Sequence, residues 1–251
     1  MLKKRIIPIL LLKDGRLVKG INFSNYRDVG NPISSAAVYN SQQADELIVL
    51  NIDSDSIKPL VSILKELSGV CFMPLTLGGG VKSFDDAALL IREGADKVVV
   101  NTLCYEAPDE VRKISDHFGK QALVCAIDVR YQEGQYFVFS KCGVCKEFES
   151  FEQAIKRRVS LGAGEILVQS IDHDGTMKGY DLNMVNYVSS IVEKLPILVS
   201  GGCGDYNDIK ALFLSTSADA AVCGSLFNFS DSNPIRAKSF LSNYGIPLKK
   251  V

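Results

Sequence analysis

The segment PILVSGGCGDYNDIKALFLSTSADAAVCGS, residues 196–225, decides the fold. In it an apolar strand runs into Gly201 and Gly202, a helical segment follows, and a second apolar strand ends in Gly224 and Ser225. In a parallel α/β protein these glycines follow the carboxyl ends of two neighbouring strands, where backbone N–H groups can face an anion. Taken alone, the glycines are better explained as tight turns between strand and helix.

Repetition of this layout favours a phosphate site over a mere turn. The segment PLTLGGGVKSFDDAALLIREGADKVVVNT, residues 74–102, has the same order of strand, glycines, helix and strand in the first half of the chain. In addition, ADELIVLNIDSD (44–55) and AGEILVQSIDHD (163–174) agree at six of twelve positions. Such internal similarity indicates two half-chains with one plan. We therefore expect a single domain, residues 1–251, with a pseudo-twofold axis.

The alternation of apolar and helical segments predicts a (β/α)8 TIM barrel. Strand-like runs lie near 6–12, 46–52, 73–78, 97–101, 122–128, 165–171, 196–200 and 219–223. Helical segments lie near 33–43, 57–68, 83–93, 107–118, 150–161, 182–194, 206–216 and 234–243. Continuously apolar strands between helices are typical of a parallel sheet covered on both faces. An open doubly wound sheet is the alternative, and the half-chain repeat argues against it.

Two long connections are expected on the catalytic face of this barrel. After the first strand, residues 13–30 read as a long polar loop, and after the fifth, residues 131–148 contain an alternating piece that suggests a small hairpin. Extended loops that follow barrel strands lie beside the active site.

Composition limits the partners and the compartment. The 251 residues carry a net charge of −1, which argues against nucleic acid or a membrane surface as the main partner. The seven scattered cysteines suit a reducing, cytoplasmic setting better than a disulfide framework. Cys142 and Cys145 form a lone C-x-x-C, and with only two histidines in the chain a structural zinc site lacks further ligands. We expect no metal and no cofactor.

Carboxylates at strand ends are the candidate acids and bases. Asp128 directly follows the fifth apolar strand, where the surrounding loops can exclude water and tune its pKa. Asp172 and Asp174 follow the sixth strand, although both can equally cap a turn. Superposing the two half-chains places Leu11 opposite Asp128. Leucine cannot carry a proton, so one expected proton-transfer group is missing.

Nearly the whole chain resembles the cyclase subunit family of imidazole glycerol phosphate synthase, whose barrel takes ammonia from a glutaminase partner. The resemblance rests on KRIIP (4–8), KDGRLVKG (13–20), LGGGV (77–81), GADKVVVNT (94–102), AID (126–128), GAGEILVQSIDHDGT (162–176) and LVSGG (198–202). It implies one phosphate near Gly80, Asn101 and Thr102, and another near Asp174, Gly175, Gly202, Gly224 and Ser225. It also matches Lys19 to the lysine of a mobile loop.

The resemblance further implies an ammonia gate at the amino-terminal end of the barrel, where the glutaminase would dock. The family closes this end with charged side chains that match Arg5, Glu46, Lys97 and Glu165. Charges that point toward a barrel axis are costly to bury unless they are paired. A purely structural ion cluster is the alternative explanation for the same four residues.

The chain departs from the family at the active face. The resemblance implies two catalytic aspartates, and their positions correspond to Leu11 and Asp128 in this chain. Asn51 and Gln169 stand where the family usually has an aspartate and a threonine. Losing one proton-transfer group costs about 10²–10⁴ in rate. The leucine-rich first strand resembles a variant branch associated with acetamidino surface-sugar (lipopolysaccharide) biosynthesis, where a separate sugar amidotransferase accepts the ammonia.

Three functions are therefore open. The first is a cyclase-like barrel that accepts ammonia from a glutaminase and passes it to a sugar amidotransferase. The second is an active histidine-pathway cyclase that makes imidazole glycerol phosphate and aminoimidazole carboxamide ribotide with Asp128 alone or with Asp172. The third is a non-catalytic scaffold that binds a phosphoribosyl ligand.

Overall fold

The computed structural model describes residues 3–53, 56–192 and 194–249. Asp55, the last matched position of the first repeat segment, lies outside the described residues. The strands are β1 (Arg5–Lys13), β2 (Arg16–Ile21), β3 (Ser24–Gly30), β4 (Leu47–Asn51), β5 (Leu75–Gly78), β6 (Lys97–Val100), β7 (Leu123–Gln132), β8 (Gln135–Ser140), β9 (Cys145–Ser150), β10 (Glu165–Ser170), β11 (Ile197–Ser200) and β12 (Ala220–Cys223). The helices are α1 (Pro32–Ser41), α2 (Lys58–Val70), α3 (Phe84–Arg92), α4 (Leu103–Glu106), α5 (Pro108–Phe118), α6 (Phe151–Ser160), α7 (Leu182–Ile191), α8 (Tyr206–Ser215), α9 (Ser225–Phe229) and α10 (Pro234–Ser242), with a short 3₁₀ turn at Lys120–Ala122.

Eight parallel strands close into a barrel, which confirms the predicted (β/α)8 fold. Their order is β1–β4–β5–β6–β7–β10–β11–β12, and β12 pairs again with β1 in the register Arg5↔Ala220 to Pro8↔Cys223. The pairing of β12 with β1 leaves the parallel strands without an open edge. The open doubly wound alternative is therefore excluded.

Alternation along each strand separates the barrel interior from the layer beneath the helices. On β1, Ile7, Ile9 and Leu11 belong to the interior cluster, whereas Ile6 and Leu10 pack in the outer core. Successive strand residues point to opposite faces, so a strand that is apolar throughout serves both layers. This double burial explains why the eight strands read as continuous apolar runs.

The eight long helices match the predicted segments to within a few residues. Polar residues cap several of them: the Ser83 side chain accepts from the backbone N–H of Asp86, and Asp205 and Asp208 form a capping box at α8. The short α4 and α9 were not predicted, because four or five residues carry no helical period. Within the described ranges, no helix combines the length and apolarity that a membrane span requires.

Both long connections are antiparallel hairpins, and the prediction of a loop for residues 13–30 is wrong. β2 continues from β1 and pairs with β3, and β8 pairs with β7 and β9, as predicted for the second connection. The first hairpin was hidden because the polar sequence of β3 lacks strand alternation and the register shifts within β2–β3. A hairpin after the first and the fifth barrel strand is a further expression of the half-barrel repeat.

Candidate active site

A cavity of about 610 Å³ lies at the carboxyl ends of the barrel strands. Its walls include Leu11 from β1, Asn51 from β4, Asp128 from β7 and Gln169 from β10. Parallel barrel strands deliver their last residues to one face, so side chains distant in sequence meet there. The cavity is therefore the place where a ligand would meet these four side chains.

Asp128 is a buried carboxylate that titrates near neutral pH. The residue is 8 % exposed, and its Oδ2 accepts a hydrogen bond of 2.9 Å from Asn101 Nδ2. Burial raises the pKa of Asp128 to about 7, and the nearby negative charge of Asp174 acts in the same direction. The Asn101 hydrogen bond and the charge of Arg158 lower this pKa and so limit the rise. A carboxyl with such a pKa can both accept and donate a proton near pH 7.

Leu11 faces the same cavity and is 7 % exposed. It also lines the smaller second cavity described below, so its side chain lies between the two predicted phosphate sites. Because leucine has no titratable group, this position supplies shape and apolar surface but no proton. Asn51 and Gln169, the other two positions at which the resemblance implies a departure from the family, also line this cavity and are likewise uncharged.

Of the other predicted carboxylates, Asp172 does not line the cavity. Its Oδ2 accepts a 2.7 Å hydrogen bond from the backbone N–H of Tyr131, near the end of β7, so its carboxylate is held against the strand that begins the second hairpin. Asp53 was not predicted as a site residue, although it lines the cavity near its exposed rim. Its Oδ2 accepts a 3.3 Å hydrogen bond from the backbone N–H of Asp14. The sequence signal that could have identified Asp53 was its position just after strand β4.

The first predicted phosphate site, Gly80 with Asn101 and Thr102, lies in the wall of the large cavity. Gly80 has a φ of +78°, and a Cβ there would lie 2.5 Å from backbone atoms of Ser56, so a side chain is excluded. The Asn101 amide is turned toward Asp128, and Thr102 Oγ1 accepts from the Lys141 N–H at 3.1 Å. A phosphate contact by Asn101 would therefore use its backbone N–H.

The second predicted phosphate site is occupied by the protein's own lysine. Its residues, Asp174, Gly175, Gly202, Gly224 and Ser225, surround Lys19, and only about 10 Å³ remains between them. Lys19 lies on β2, is buried, and its Nζ lies 2.6 Å from Asp174 Oδ1.

Two polar atoms of this second site, Asp174 Oδ2 and Ser225 Oγ, are buried without a hydrogen-bond partner. The backbone N–H of Asp174 already donates to the carbonyl of Ser170 at 3.0 Å. A carboxylate repels phosphate, so the positive charge in this site comes from Lys19 and not from Asp174. The unpaired Ser225 hydroxyl and the lysine ammonium are the groups suited to bind an anion.

At the opposite end of the barrel, the four predicted gate residues form a closed ring of ion pairs. Arg5 lies 3.0 Å from Glu46 and 2.8 Å from Glu165, and Lys97 lies 2.9 Å from each of the same carboxylates. Thr76 adds a hydrogen bond of 2.6 Å to Glu46. Opposite charges alternate around the ring, so each charge is paired on both sides, as burial requires.

Between this ring and the cavity, the barrel is filled with apolar side chains. The interior cluster consists of Ile7, Ile9, Leu11, Ile48, Val99, Val124, Ala126, Leu167, Leu198, Ala220 and Val222. Such a lining offers no hydrogen bonds to water or to ions.

Arg158, next to the site, is a second residue that the sequence interpretation missed. It is 0 % exposed, lies on α6, and its Nη2 donates to Asn101 Oδ1 at 3.1 Å. A signal existed in the sequence: Phe151, Ala154, Ile155 and Arg158 follow the spacing of one buried helix face. An arginine on that face needs polar partners inside the protein.

The cysteines carry no site that the structure reveals. None of the seven forms a disulfide; Cys142 is exposed on the loop between β8 and β9, and Cys145 is the exposed first residue of β9. Over the described ranges, no three His, Cys, Asp or Glu residues come together in a group that could hold a metal ion.

Comparison with known proteins identifies close relatives over nearly the whole chain. A family model described as histidine biosynthesis protein matches residues 5–233. Imidazole glycerol phosphate synthase subunit HisF of Chlorobaculum tepidum is 41% identical over 252 residues, and that of Bacillus cereus is 40% identical over 253 residues. The subunit HisF of Chlorobaculum parvum is 42% identical over 253 residues. Each alignment covers 99% of this chain and 100% of the relative.

Proposed function

Because the chain belongs to the histidine biosynthesis protein family, we propose that it is the barrel subunit of a complex of the imidazole glycerol phosphate synthase type and receives ammonia from a glutaminase partner. As such it is an enzyme subunit. The observation that carries the proposal is the ring of Arg5, Glu46, Lys97 and Glu165 beneath an apolar interior that leads to Asp128.

The ring is suited to control entry from the amino-terminal face. The four charges of the ring neutralise one another. If a docked partner draws one side chain away, the other three must pair differently, and the barrel axis opens. Ammonia that passes the ring enters an aliphatic interior, where its neutral form is favoured over ammonium. The glutaminase would therefore dock at the end of the barrel that carries the ring.

The carboxyl end is suited to hold a phosphorylated small molecule over the exit of this passage. Lys19 and Ser225 lie on one side of Leu11, and Gly80 with Thr102 lies on the other. A ligand with a phosphate at each end would place its middle beside Asp128. That position lets Asp128 exchange protons with the bound ligand or with incoming ammonia.

For the acceptor of ammonia, the comparisons favour the histidine-pathway cyclase. The relatives named above are imidazole glycerol phosphate synthase subunits, and Asp128 lies in the wall of the large cavity. In this function, ammonia and the ribulosyl phosphate precursor yield imidazole glycerol phosphate and aminoimidazole carboxamide ribotide. Asp128 then works alone or with Asp53 at the cavity rim, since Asp172 lies outside the cavity and accepts a hydrogen bond from the Tyr131 N–H on β7.

One specific observation favours the other acceptor, a separate sugar amidotransferase in surface-polysaccharide biosynthesis. Leu11 stands where the family has a second acid or base, and a passage for ammonia needs no complete acid–base pair. None of the relatives named above carries a surface-sugar name, so this acceptor rests on Leu11. The non-catalytic scaffold rests on the same residue and predicts ligand binding without ammonia transfer.

A reconstituted assay distinguishes these functions. The purified chain is supplied with the ribulosyl phosphate precursor and either ammonium salts or glutamine with the glutaminase. Formation of imidazole glycerol phosphate from ammonium identifies the cyclase. Stimulation of the glutaminase without that product identifies transfer to another acceptor. Phosphosugar binding with no effect on any glutaminase overturns the proposed ammonia-receiving role and leaves the scaffold.

A further inference from the structure

The buried guanidinium of Arg158 contacts groups that surround the active-site carboxylate. Nη2 donates to Asn101 Oδ1 at 3.1 Å, Nη1 donates to Glu149 Oε1 at 3.0 Å, and Nε lies 3.4 Å from the carbonyl oxygen of Ala126. Its planar face lies over the ring of Tyr105, 4.2 Å from the ring centroid. An arginine held on three sides and stacked on a ring has little rotational freedom.

The contact with Asn101 determines which way that amide points. Asn101 Oδ1 accepts from Arg158, and Asn101 Nδ2 donates to Asp128 Oδ2 at 2.9 Å and to the carbonyl oxygen of Phe139 at 3.0 Å. In the opposite orientation, the amide oxygen would face two acceptors and its NH₂ group would face a donor. The guanidinium therefore excludes that orientation.

We propose that Arg158 is a positioning residue for Asp128, holding the Asn101 amide so that its N–H donates to the carboxylate inside the cavity. The catalytic meaning of this role rests on the proposed function of Asp128, but the hydrogen-bonded chain itself does not. A donor that binds the ionised carboxylate favours ionisation, and it also fixes which oxygen of Asp128 remains available to a ligand.

The charges around Arg158 are consistent with the hydrogen bonds that link Arg158, Asn101 and Asp128. Desolvation opposes a buried arginine, yet the charge of Glu149 helps to keep Arg158 protonated. Glu149 is also paired with Arg157, 2.9 Å away at the surface. Removal of Arg158 therefore leaves Glu149 with a partner.

Asp128 also faces other groups whose charge must be considered. The cavity walls and the adjoining second site contribute Tyr26 from β3, Asp53 after β4, Lys141 and Cys142 from the β8–β9 loop, and Asp174 with Lys19. Of these, the negative charge of Asp174 raises the pKa of Asp128. Arg158 differs from all of them because, in addition to its charge, it acts through its hydrogen bond to Asn101, whose amide donates to the carboxylate.

The test follows the ¹³C resonance of the Asp128 carboxyl through a pH titration of the full-length chain, assigned by its loss in D128N. We expect R158M to raise the pKa of Asp128 by about 1, because the Asn101 amide is then no longer held with its N–H toward the ionised carboxylate and a nearby positive charge is lost. R157M is the matched control: Arg157 also pairs with Glu149 but lies at the surface, and we expect no change in the pKa of Asp128.

A double variant tests whether the effect passes through Asn101. In an N101A background, the additional R158M substitution should change the pKa of Asp128 much less than it does in the unsubstituted protein. An equal shift in both backgrounds, or no shift in R158M, overturns the proposal. R158K keeps a positive charge and is expected to restore part of the difference.

A measurement on the unsubstituted protein covers the case in which R158M does not fold. The ¹⁵N resonances of the Asn101 amide and the Arg158 guanidinium should shift with the same apparent pKa as the Asp128 carboxyl, and D128N should abolish both shifts. If the ¹⁵N resonances of Asn101 and Arg158 do not change as Asp128 ionises, the proposal is overturned. None of these readouts needs a substrate, so a negative cyclase or glutaminase assay cannot produce the same result.

Discussion

Lys19 and Asp174 form a buried ion pair, with 2.6 Å between Nζ and Oδ1, inside the second predicted phosphate site. Both residues are almost fully shielded from solvent, so each depends on the other to compensate its lost hydration. The pair leaves about 10 Å³ of open volume beside Ser225. Phosphate binding at this site therefore requires Lys19 to change its position.

The first prediction concerns this pair. K19M should lower the free energy of unfolding by about 3 kcal/mol, because it leaves the Asp174 carboxylate buried without its cation. The double variant K19M/D174N should recover most of that loss, since the uncompensated charge is gone. Urea denaturation of the three proteins measures both changes. A loss in K19M that D174N does not relieve would show that lysine packing, and not charge, stabilises the site.

The second prediction concerns Leu11. If the missing proton carrier limits ring closure, L11D should increase cyclase turnover with ammonium by about 10²–10⁴. L11N introduces a side chain of nearly the same shape as that of L11D but without a titratable proton, so it should not produce the gain. The measurement is the rate of imidazole glycerol phosphate formation. Turnover in the unsubstituted protein as fast as in L11D would show that Asp128, with or without Asp53, suffices.

The third prediction follows from the raised pKa of Asp128, which is about 7. The folded protein binds the proton of Asp128 more tightly than the unfolded chain, whose carboxyl titrates near about 4. Stability contributed by this group is therefore present at low pH and is lost as the pH rises from about 4 to about 7.

D128N removes this titration, so it isolates the effect. Relative to the unsubstituted protein, D128N should gain stability between pH 4 and 7 and remain more stable above pH 7, by about 4 kcal/mol at most. Denaturation midpoints at several pH values measure the difference. D109N is the control, because the Asp109 side chain is 83% exposed and should show no comparable dependence. A constant difference between D128N and the unsubstituted protein would contradict the raised pKa.

The fourth prediction distinguishes an ammonia gate from a structural ion cluster. K97M removes a cation that bridges Glu46 and Glu165, so the ring loses two of its four contacts. For a gate, K97M should make the glutaminase consume more glutamine than the complex incorporates as ammonia, while activity with free ammonium persists. The assay compares glutamate release with product formation.

The surface pair of Lys156 and Glu152 supplies the control for K97M. K156M removes an exposed helical ion pair of comparable distance, 2.6 Å, and should leave the coupling of the two reactions unchanged. If K97M lowers only the stability of the barrel and glutamine use remains stoichiometric, the ring is a structural cluster.

Sequence patterns predicted the parts of the molecule that follow regular periods. The eight barrel strands are buried on both faces, so their apolar runs were visible, and Asp128 stood out at the end of one of them. The glycines at strand ends were also visible in the sequence, and at Gly80 the backbone geometry explains why no side chain is tolerated. These features are local, and local features can be read from a chain without coordinates.

The missed features depend on contacts between distant elements. Arg158 belongs to a charged-looking run, KRR, and only the helix orientation shows that it is buried and reaches Asn101. Lys19 looked like a loop residue, because the pairing of β2 with β1 and β3 cannot be read from the polar sequence of β3. In both cases a long cationic side chain finds its partner more than 50 residues away.

Strand β1 pairs with two different strands, β12 and β2, along one of its edges. Along one edge, Arg5 to Pro8 pair with β12 and seal the barrel, and Leu11 to Lys13 pair with β2 and support the hairpin that carries Lys19. Because the β1–β12 pairings and the β1–β2 pairings use different residues of this edge, displacement of the hairpin would break the three pairings with β2, the Lys19–Asp174 ion pair and the hydrogen bond from the Asn22 N–H to the Asp174 carbonyl, and would leave the β1–β12 pairings intact. A single continuous strand thus closes the barrel at its beginning and supports the hairpin that carries Lys19 at its end.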